Sequence, residues 1–143
     1  MKTYIGTKII NATPMTRWEY NAYRGWETPA AEKNFDVFGY LVEYTDGSSG
    51  NDSRHVGYIS WSPKNVFDAA YLPIGDVSGL PPHQRRVVAE KAALDAKANA
   101  LSNFIGAGPI FGQLDPAEQE RLKLQNDVMW AYSEILGKRI AAF

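Results

Sequence analysis

Apolar positions in the last third of the chain recur with helical spacing. Val87, Leu94, Ala98, Leu101 and Ile105 follow at steps of seven, four, three and four, which keeps them on one side of a helix. Leu122, Met129, Tyr132, Leu136, Ile140 and Phe143 form a matching stripe further on. Asp115-Pro116-Ala117-Glu118 writes the start of that second helix, with a capping aspartate, proline at the first helical position and glutamate at the third. The pattern predicts a hairpin of two antiparallel helices, Pro82 to Ile105 and Asp115 to Phe143, joined by a turn that carries Gly106, Gly108 and Gly112.

The later helix carries a second apolar stripe, Leu124, Val128, Ala131 and Ile135, two residues out of phase with the first and so roughly 200° round the axis. A solvated face would not carry it. On the first helix Ala89, Ala92, Ala93, Ala96 and Ala100 let another backbone approach closely. Either the N-terminal half packs on these surfaces or another subunit does, and the two readings are compatible.

Up to Tyr71 the pattern changes. Thirteen of the 18 aromatic residues lie there, seven of the eight tyrosines among them, a composition that favours short strands. Tyr4 to Ile10 reads as a strand stopped by Thr13-Pro14-Met15-Thr16. Thr16 and Glu19 have capping-box spacing, which predicts a short helix over Arg17 to Arg24 ended by Gly25. Phe38 to Thr45 reads as a strand closed by Asp46-Gly47, Ser48 to Ser53 as a mobile loop, and Val56 to Trp61 as the returning strand. Ser62-Pro63 is expected to cap a last short helix over Lys64 to Ala70. The fold class expected is α+β: a small antiparallel β-sheet module over 1–71, a proline- and glycine-rich linker over 72–81, and a helical hairpin over 82–143.

Composition narrows the function classes. The 143 residues carry 15 Lys and Arg against 16 Asp and Glu, divided evenly between the halves. Neither half has the basic excess of a protein that tracks a nucleic-acid polymer or an anionic membrane. The absence of cysteine removes disulfides, zinc ribbons and thiol nucleophiles. No charged and apolar leader pattern opens the chain and no apolar run approaches membrane-spanning length, so a soluble intracellular protein is expected.

No catalytic constellation emerges, and no cofactor is called for. His55 and His83 lack a histidine or carboxylate at metal-ligand spacing, so no metal site is expected. Ser60-Trp61-Ser62 is not a glycine-flanked nucleophile elbow, and the glycines of the hairpin turn lack the Gly-Lys-Ser/Thr of a phosphate loop. What the chain supplies instead is arginine mixed with flat aromatic surface. Arg17, Trp18, Tyr20, Tyr23, Arg24 and Trp26 sit within ten residues, and Tyr58 and Trp61 lie on the returning strand. Guanidinium groups grip phosphates and rings stack on bases, a combination suited to a nucleotide. The competing reading makes Trp18, Tyr20 and Trp26 core residues and sets Arg17 and Arg24 on a solvated face, paired with Glu19, Glu27 or Glu43. Arg85 and Arg86 open the first hairpin helix, where the dipole favours anions, or else simply line a solvated first turn.

Two stretches carry a resemblance. Pro14-Met15-Thr16-Arg17, Glu19-Tyr20-Asn21-x-Tyr23-Arg24-Gly25-Trp26, Gly39-Tyr40-Leu41-Val42-Glu43-Tyr44 and Gly57-Tyr58-Ile59-Ser60-Trp61-Ser62-Pro63-Lys64 look like a phage-encoded N-terminal module. Gln84-x-Arg86-Val87-Val88-x-Glu90-Lys91-x-x-Leu94-x-x-Lys97, Leu101-x-x-Phe104-Ile105 and Met129-x-x-Tyr132-x-x-x-Leu136-x-x-Arg139-Ile140 are similar to the helical hairpin shared by phage anti-Thoeris and anti-CBASS sponges. The combination of module and hairpin points to the anti-Thoeris type.

That resemblance implies binding without turnover in the host bacterial cytoplasm. The ligands it implies are cyclic nucleotide immune signals: glycosylated cyclic ADP-ribose made by TIR enzymes and, in some members, cyclic oligonucleotides held at separate pockets of a dimer or hexamer. Anti-CBASS relatives hold a cyclic dinucleotide with an aromatic residue at the start of the first hairpin helix and a lysine about four turns later. Here His83 or Gln84 and Asn99 stand at the matching places, which speaks against that mode and leaves cyclic trinucleotide binding at a hexamer three-fold open. The ligand-binding residues expected are Arg85, Asn99, Asn103 and Arg121 of the hairpin, facing the N-terminal module of the same or a neighbouring chain, with Arg17, Arg24, Trp26, Tyr58 and Trp61 of that module. Two other classes remain: a structural protein that oligomerises through the hairpin, and an enzyme that degrades the same nucleotides.

Overall fold

Alternation of side chains along three short segments builds an antiparallel sheet in the order β1-β2-β3, with β1 at Ile10–Pro14, β2 at Gly39–Tyr44 and β3 at Tyr58–Pro63. The computed structural model describes residues 1–27 and 37–143. They fall into two compact units, Met1–Tyr71 and Leu72–Phe143.

In the first unit, Leu41 pairs with Trp61 and Val42 with Ser60 across β2 and β3. The period of two sends Leu41 and Ile59 to one face, where they close over Tyr20 of helix α1 (Arg17–Arg24) and form the buried core with Met15, Tyr23 and Trp61 packed at its margin. Burying Leu41 and Ile59 contributes about 2 kcal/mol each. Tyr40 and Val42 alternate to the opposite face, and there Tyr40 stacks on Phe67 of helix α2 (Lys64–Ala70) with centroids 4.0 Å apart.

Two glycines let the strands meet. A Cβ at Gly57 would collide with the Tyr44 carbonyl, and one at Gly39 would strike the Ser62 carbonyl and stand 2.5 Å from Trp61 Cζ2. Helix α1 begins with the capping box expected from its sequence: Thr16 Oγ1 accepts from the Glu19 amide at 3.2 Å, and Glu19 accepts from the Thr16 amide at 2.7 Å. It ends where Gly25 takes a φ of 72°, which lets the Gly25 and Trp26 amides bond back to Ala22 and Asn21.

Three local expectations change. Residues 4–9 are not a strand: β2 ends at Tyr44, so no partner is left for them, and Tyr4 and Ile5 are exposed. Strand β3 runs two residues later than expected, with Val56 outside it. Ser62 does not cap α2, because Pro63 is itself the cap residue, the Ser62 hydroxyl turns to the Pro63 carbonyl, and the Lys64 amide is taken by the Phe38 carbonyl.

The second unit is a helical hairpin, α3 (Pro82–Ala107) and α4 (Pro116–Ala141), joined through a short 3₁₀ turn at Phe111–Gln113. Asp115 caps α4 by accepting from the Ala117 amide at 2.8 Å. Val87, Ala98 and Leu136 are buried in the seam, with Leu94, Leu101, Ile105, Leu122, Met129 and Ile140 half-buried beside them. Phe111 swings back under the turn and meets Phe104 edge to face at 6.0 Å.

The stripe read for α4 needs correction at two places. Tyr132 and Phe143 are exposed, and the seam positions nearby are held by polar residues. Ser133 is buried and accepts from Lys91 Nζ at 2.9 Å while its hydroxyl donates to Asp95, which Lys91 also pairs at 2.6 Å. One layer along, Asn126 donates to the Ala98 carbonyl at 3.0 Å and accepts from Ser102, whose hydroxyl in turn accepts from the Trp130 indole. The second apolar stripe, Leu124, Val128, Ala131 and Ile135, is exposed.

Candidate functional site

Five of the residues singled out in the sequence line one groove of about 490 Å³ in the N-terminal unit: Arg17, Arg24, Trp26, Tyr58 and Trp61. Helix α1 supplies one wall. Arg17, Tyr20, Asn21 and Arg24 fall on a single side of it because they lie three, four and seven residues apart. The αL turn at Gly25 brings Trp26 back over that wall, where its ring meets Tyr20 edge to face at 5.9 Å. Tyr58, Ile59, Ser60 and Trp61 contribute from β3, an edge strand, so residues of both alternations reach the groove.

Asn51 completes it. Its amide donates to the Ile59 carbonyl at 2.9 Å and accepts from the Ile59 amide at 2.8 Å, so one side chain serves as a strand partner on the outer edge of β3. The loop expected to be mobile is thereby held to β3 and, through Asn51 O and Arg24, to α1; just after it, Arg54 donates to the Tyr23 carbonyl at 2.7 Å and the His55 ring meets the Tyr23 hydroxyl at 2.9 Å.

The groove carries cation and ring in alternation. The Arg17 guanidinium stands 5.4 Å from the Trp61 ring centre, and that of Arg24 stands 4.8 Å from Trp26. Arg24 also reaches the Tyr20 hydroxyl at 3.4 Å and lies 4.0 Å from Asp52. Two of the three acidic partners considered in the sequence are engaged elsewhere, Glu19 with Thr16 and Glu43 with His55. Tyr20 is core, whereas Trp26 is 53% and Tyr58 44% exposed.

The same unit holds a chain of titratable groups that sequence spacing did not show. Glu43 faces His55 Nδ1 at 3.0 Å, and His55 Nε2 faces the Tyr23 hydroxyl. His55 and the Gly57 amide hold the Glu43 carboxyl below its ordinary value. Asp52 is held well below the usual carboxylate range by hydrogen bonds from Arg54. Only pairing across strands reveals this chain, since Glu43 and His55 lie twelve residues apart. Among the described residues no group of three or more metal-ligating side chains forms.

In the hairpin the candidates do not converge. Arg85 is committed to its own unit, donating from Nε to the Leu80 carbonyl at 2.6 Å and from Nη2 to Ser78 O at 3.1 Å. Asn99 and Asn103 are exposed one turn apart on α3, and Arg121 is exposed and paired with Glu118 at 2.6 Å. Arg85 and Asn103 are separated by eighteen residues of α3, about 27 Å of helix, so one chain does not bring them to one ligand. No helix among the described residues is long and apolar enough to cross a membrane.

Residues 81–142 match the family described as Sequestin, a name that conveys holding a ligand without specifying which. No curated protein and no solved structure matches the chain. The matched stretch spans both long helices and the turn between them, and leaves the groove-bearing unit outside it. Over residues 81–142, a little less than half of the chain, the hairpin is similar to the Sequestin family.

Proposed function

We propose that this protein is a molecular sponge that binds a small cyclic nucleotide signal and holds it unchanged. The observation that carries the reading is the convergence of Arg17, Arg24, Trp26, Tyr58 and Trp61 on one groove, in a chain whose hairpin is similar to the Sequestin family. Guanidinium groups recognise phosphate and exposed rings recognise bases. A sponge needs tight binding rather than a positioned general base, and it acts by lowering the free signal below the level its effector requires.

The resemblance to phage anti-Thoeris sponges specifies the rest of the proposal. The signal is glycosylated cyclic ADP-ribose made by TIR enzymes, with cyclic trinucleotides of CBASS synthases as a second class, and the place of action is the infected bacterial cytoplasm. The active form is a homo-oligomer, a dimer or hexamer, and the exposed stripe Leu124, Val128 and Ile135 supports that part of the reading.

Calorimetric titration of the purified protein with glycosylated cyclic ADP-ribose, and in parallel with a cyclic trinucleotide, tests it. Heat denaturation and chromatography of the bound fraction follow. Tight binding with intact ligand recovered is the expected result. A cleaved product would replace the sponge by an enzyme, and no heat with either ligand would leave a hairpin that serves assembly alone.

A further inference from the structure

The five groove residues are not equivalent. We infer that the ligand is touched by the Arg17 guanidinium and the rings of Trp26 and Tyr58, while Arg24 and Trp61 are positioning residues that hold those groups in place. The assignment rests on the nucleotide-binding reading above.

Arg24 is already committed. Its side chain is only 13% exposed, and its guanidinium donates to Tyr20 and the Asn51 carbonyl, faces Asp52 and lies over Trp26. Moving it onto a phosphate would break its bond to the Asn51 carbonyl and leave the Trp26 ring without its cation. Trp61 is committed too. Its indole N–H donates to the Met15 carbonyl at 2.8 Å, its ring packs against Gly39, and Arg17 lies over it.

Arg17 differs. It is exposed, and among the described residues its guanidinium has no carboxylate or carbonyl partner, only the Trp61 ring. A cation–π contact with an indole takes up none of the guanidinium N–H groups, and those are the groups that grip a phosphate in bidentate fashion. One unspent guanidinium can grip one of the two phosphates of the cyclic ADP-ribose pyrophosphate. Trp26 and Tyr58 retain exposed ring surface for the adjoining base.

The test is titration of the full-length protein with glycosylated cyclic ADP-ribose at low and high salt, for wild type and for Arg17→Gln, Arg17→Lys, Arg24→Gln and Trp61→Phe, with melting temperatures measured alongside. Arg17→Gln is expected to weaken binding about tenfold or more, the loss of a charge-assisted contact, to flatten the salt dependence and to leave the melting temperature unchanged. Arg17→Lys restores the salt dependence without the full affinity. Arg24→Gln and Trp61→Phe lower the melting temperature and weaken binding while keeping the wild-type salt dependence. If Arg24→Gln does not fold, Arg24→Lys takes its place, with weakened binding expected although the charge is kept.

Unchanged affinity in Arg17→Gln, a salt dependence flattened equally in Arg24→Gln, or full affinity in Arg24→Lys overturns the assignment while the nucleotide reading stands. A wild-type protein that binds nothing removes both.

Discussion

Asn51 and Ile59 are joined by two hydrogen bonds in which a side-chain amide stands in for a neighbouring strand. The Asn51 carbonyl also receives Arg24, so the same residue ties the edge of β3 to the helix wall of the groove. Asn51→Ala leaves the Ile59 amide and carbonyl without partners, at a cost of about 2 to 3 kcal/mol. Thermal unfolding of the variant is expected to show that loss together with weakened ligand binding. An unchanged melting temperature would mean that the bonds to Ile59 contribute nothing.

Gly57 and Gly39 are expected to tolerate no side chain. The added methyl of Gly57→Ala meets the Tyr44 carbonyl, and that of Gly39→Ala meets both Ser62 and the Trp61 ring. Overpacking against backbone costs about 3 kcal/mol, enough to unfold a small sheet. Circular dichroism should show loss of the strand signal and retention of most helix, because α3 and α4 belong to the other unit. Alanine at Gly106, where nothing stands within 4 Å of the new Cβ, serves as the control.

Glu43 makes the N-terminal unit sensitive to acid. Its carboxyl lies below the ordinary value of 4.5 because His55 and the Gly57 amide donate to it. A carboxylate depressed in the folded state stabilises above its unfolded value, and that stabilisation is lost as pH falls through the folded value. Stability is therefore expected to drop from about pH 4.5 downward, and to drop less steeply in Glu43→Gln. Parallel pH profiles for wild type and variant would show that this carboxylate is not coupled to folding.

The polar layer of the hairpin is predicted to be worse half-broken than absent. Asn126→Ala strands the Ser102 hydroxyl and the Ala98 carbonyl and is expected to cost about 1 to 3 kcal/mol. The double change Asn126→Leu with Ser102→Ala replaces the seam pair by apolar packing, leaves the 38% exposed Trp130 indole N–H to water, and should recover most of that loss. Urea titration of the single and double variants distinguishes the cases, since equal destabilisation would assign the layer no net penalty for being broken.

The exposed stripe on α4 is predicted to be where copies of the chain meet. Val128→Glu and Ile135→Glu put charge on residues 59% and 55% exposed in the single chain, so neither is expected to disturb the hairpin itself. Light scattering after gel filtration should show a smaller assembly with unchanged helix content. The same mass as wild type would move the interface elsewhere.

Element identity was legible wherever a local signal was sufficient. The capping box of Thr16 and Glu19, the left-handed stop at Gly25 and the Asp115-Pro116 start each act within four residues, so α1 and the start of α4 follow from the chain alone, whereas α3 runs on to Ala107 and α4 stops at Ala141, two residues from the expected ends. Boundaries that depend on a partner did not follow. Tyr4 to Ile9 have the composition of a strand, but β2 ends too early to pair with them. Ser133 and Asn126 were illegible as seam residues because a polar residue on an amphipathic helix reads as surface until Lys91, Asp95 and Ser102 stand opposite it.

The same division runs through the site. Arginines and aromatic rings cluster in the sequence near α1, and helical spacing alone puts Arg17 and Arg24 on one side of it. Which arginine is free is a tertiary matter. Arg24 is engaged by Asn51 and Asp52, some 27 residues along the chain, whereas among the described residues Arg17 meets only an indole that Gly39 and Met15 hold still. Local chemistry writes helices, caps and turns because their hydrogen bonds close within a few residues. The accounts of the sheet edge, the polar seam and the unspent guanidinium close only across strands and helices, so only the folded chain decides them.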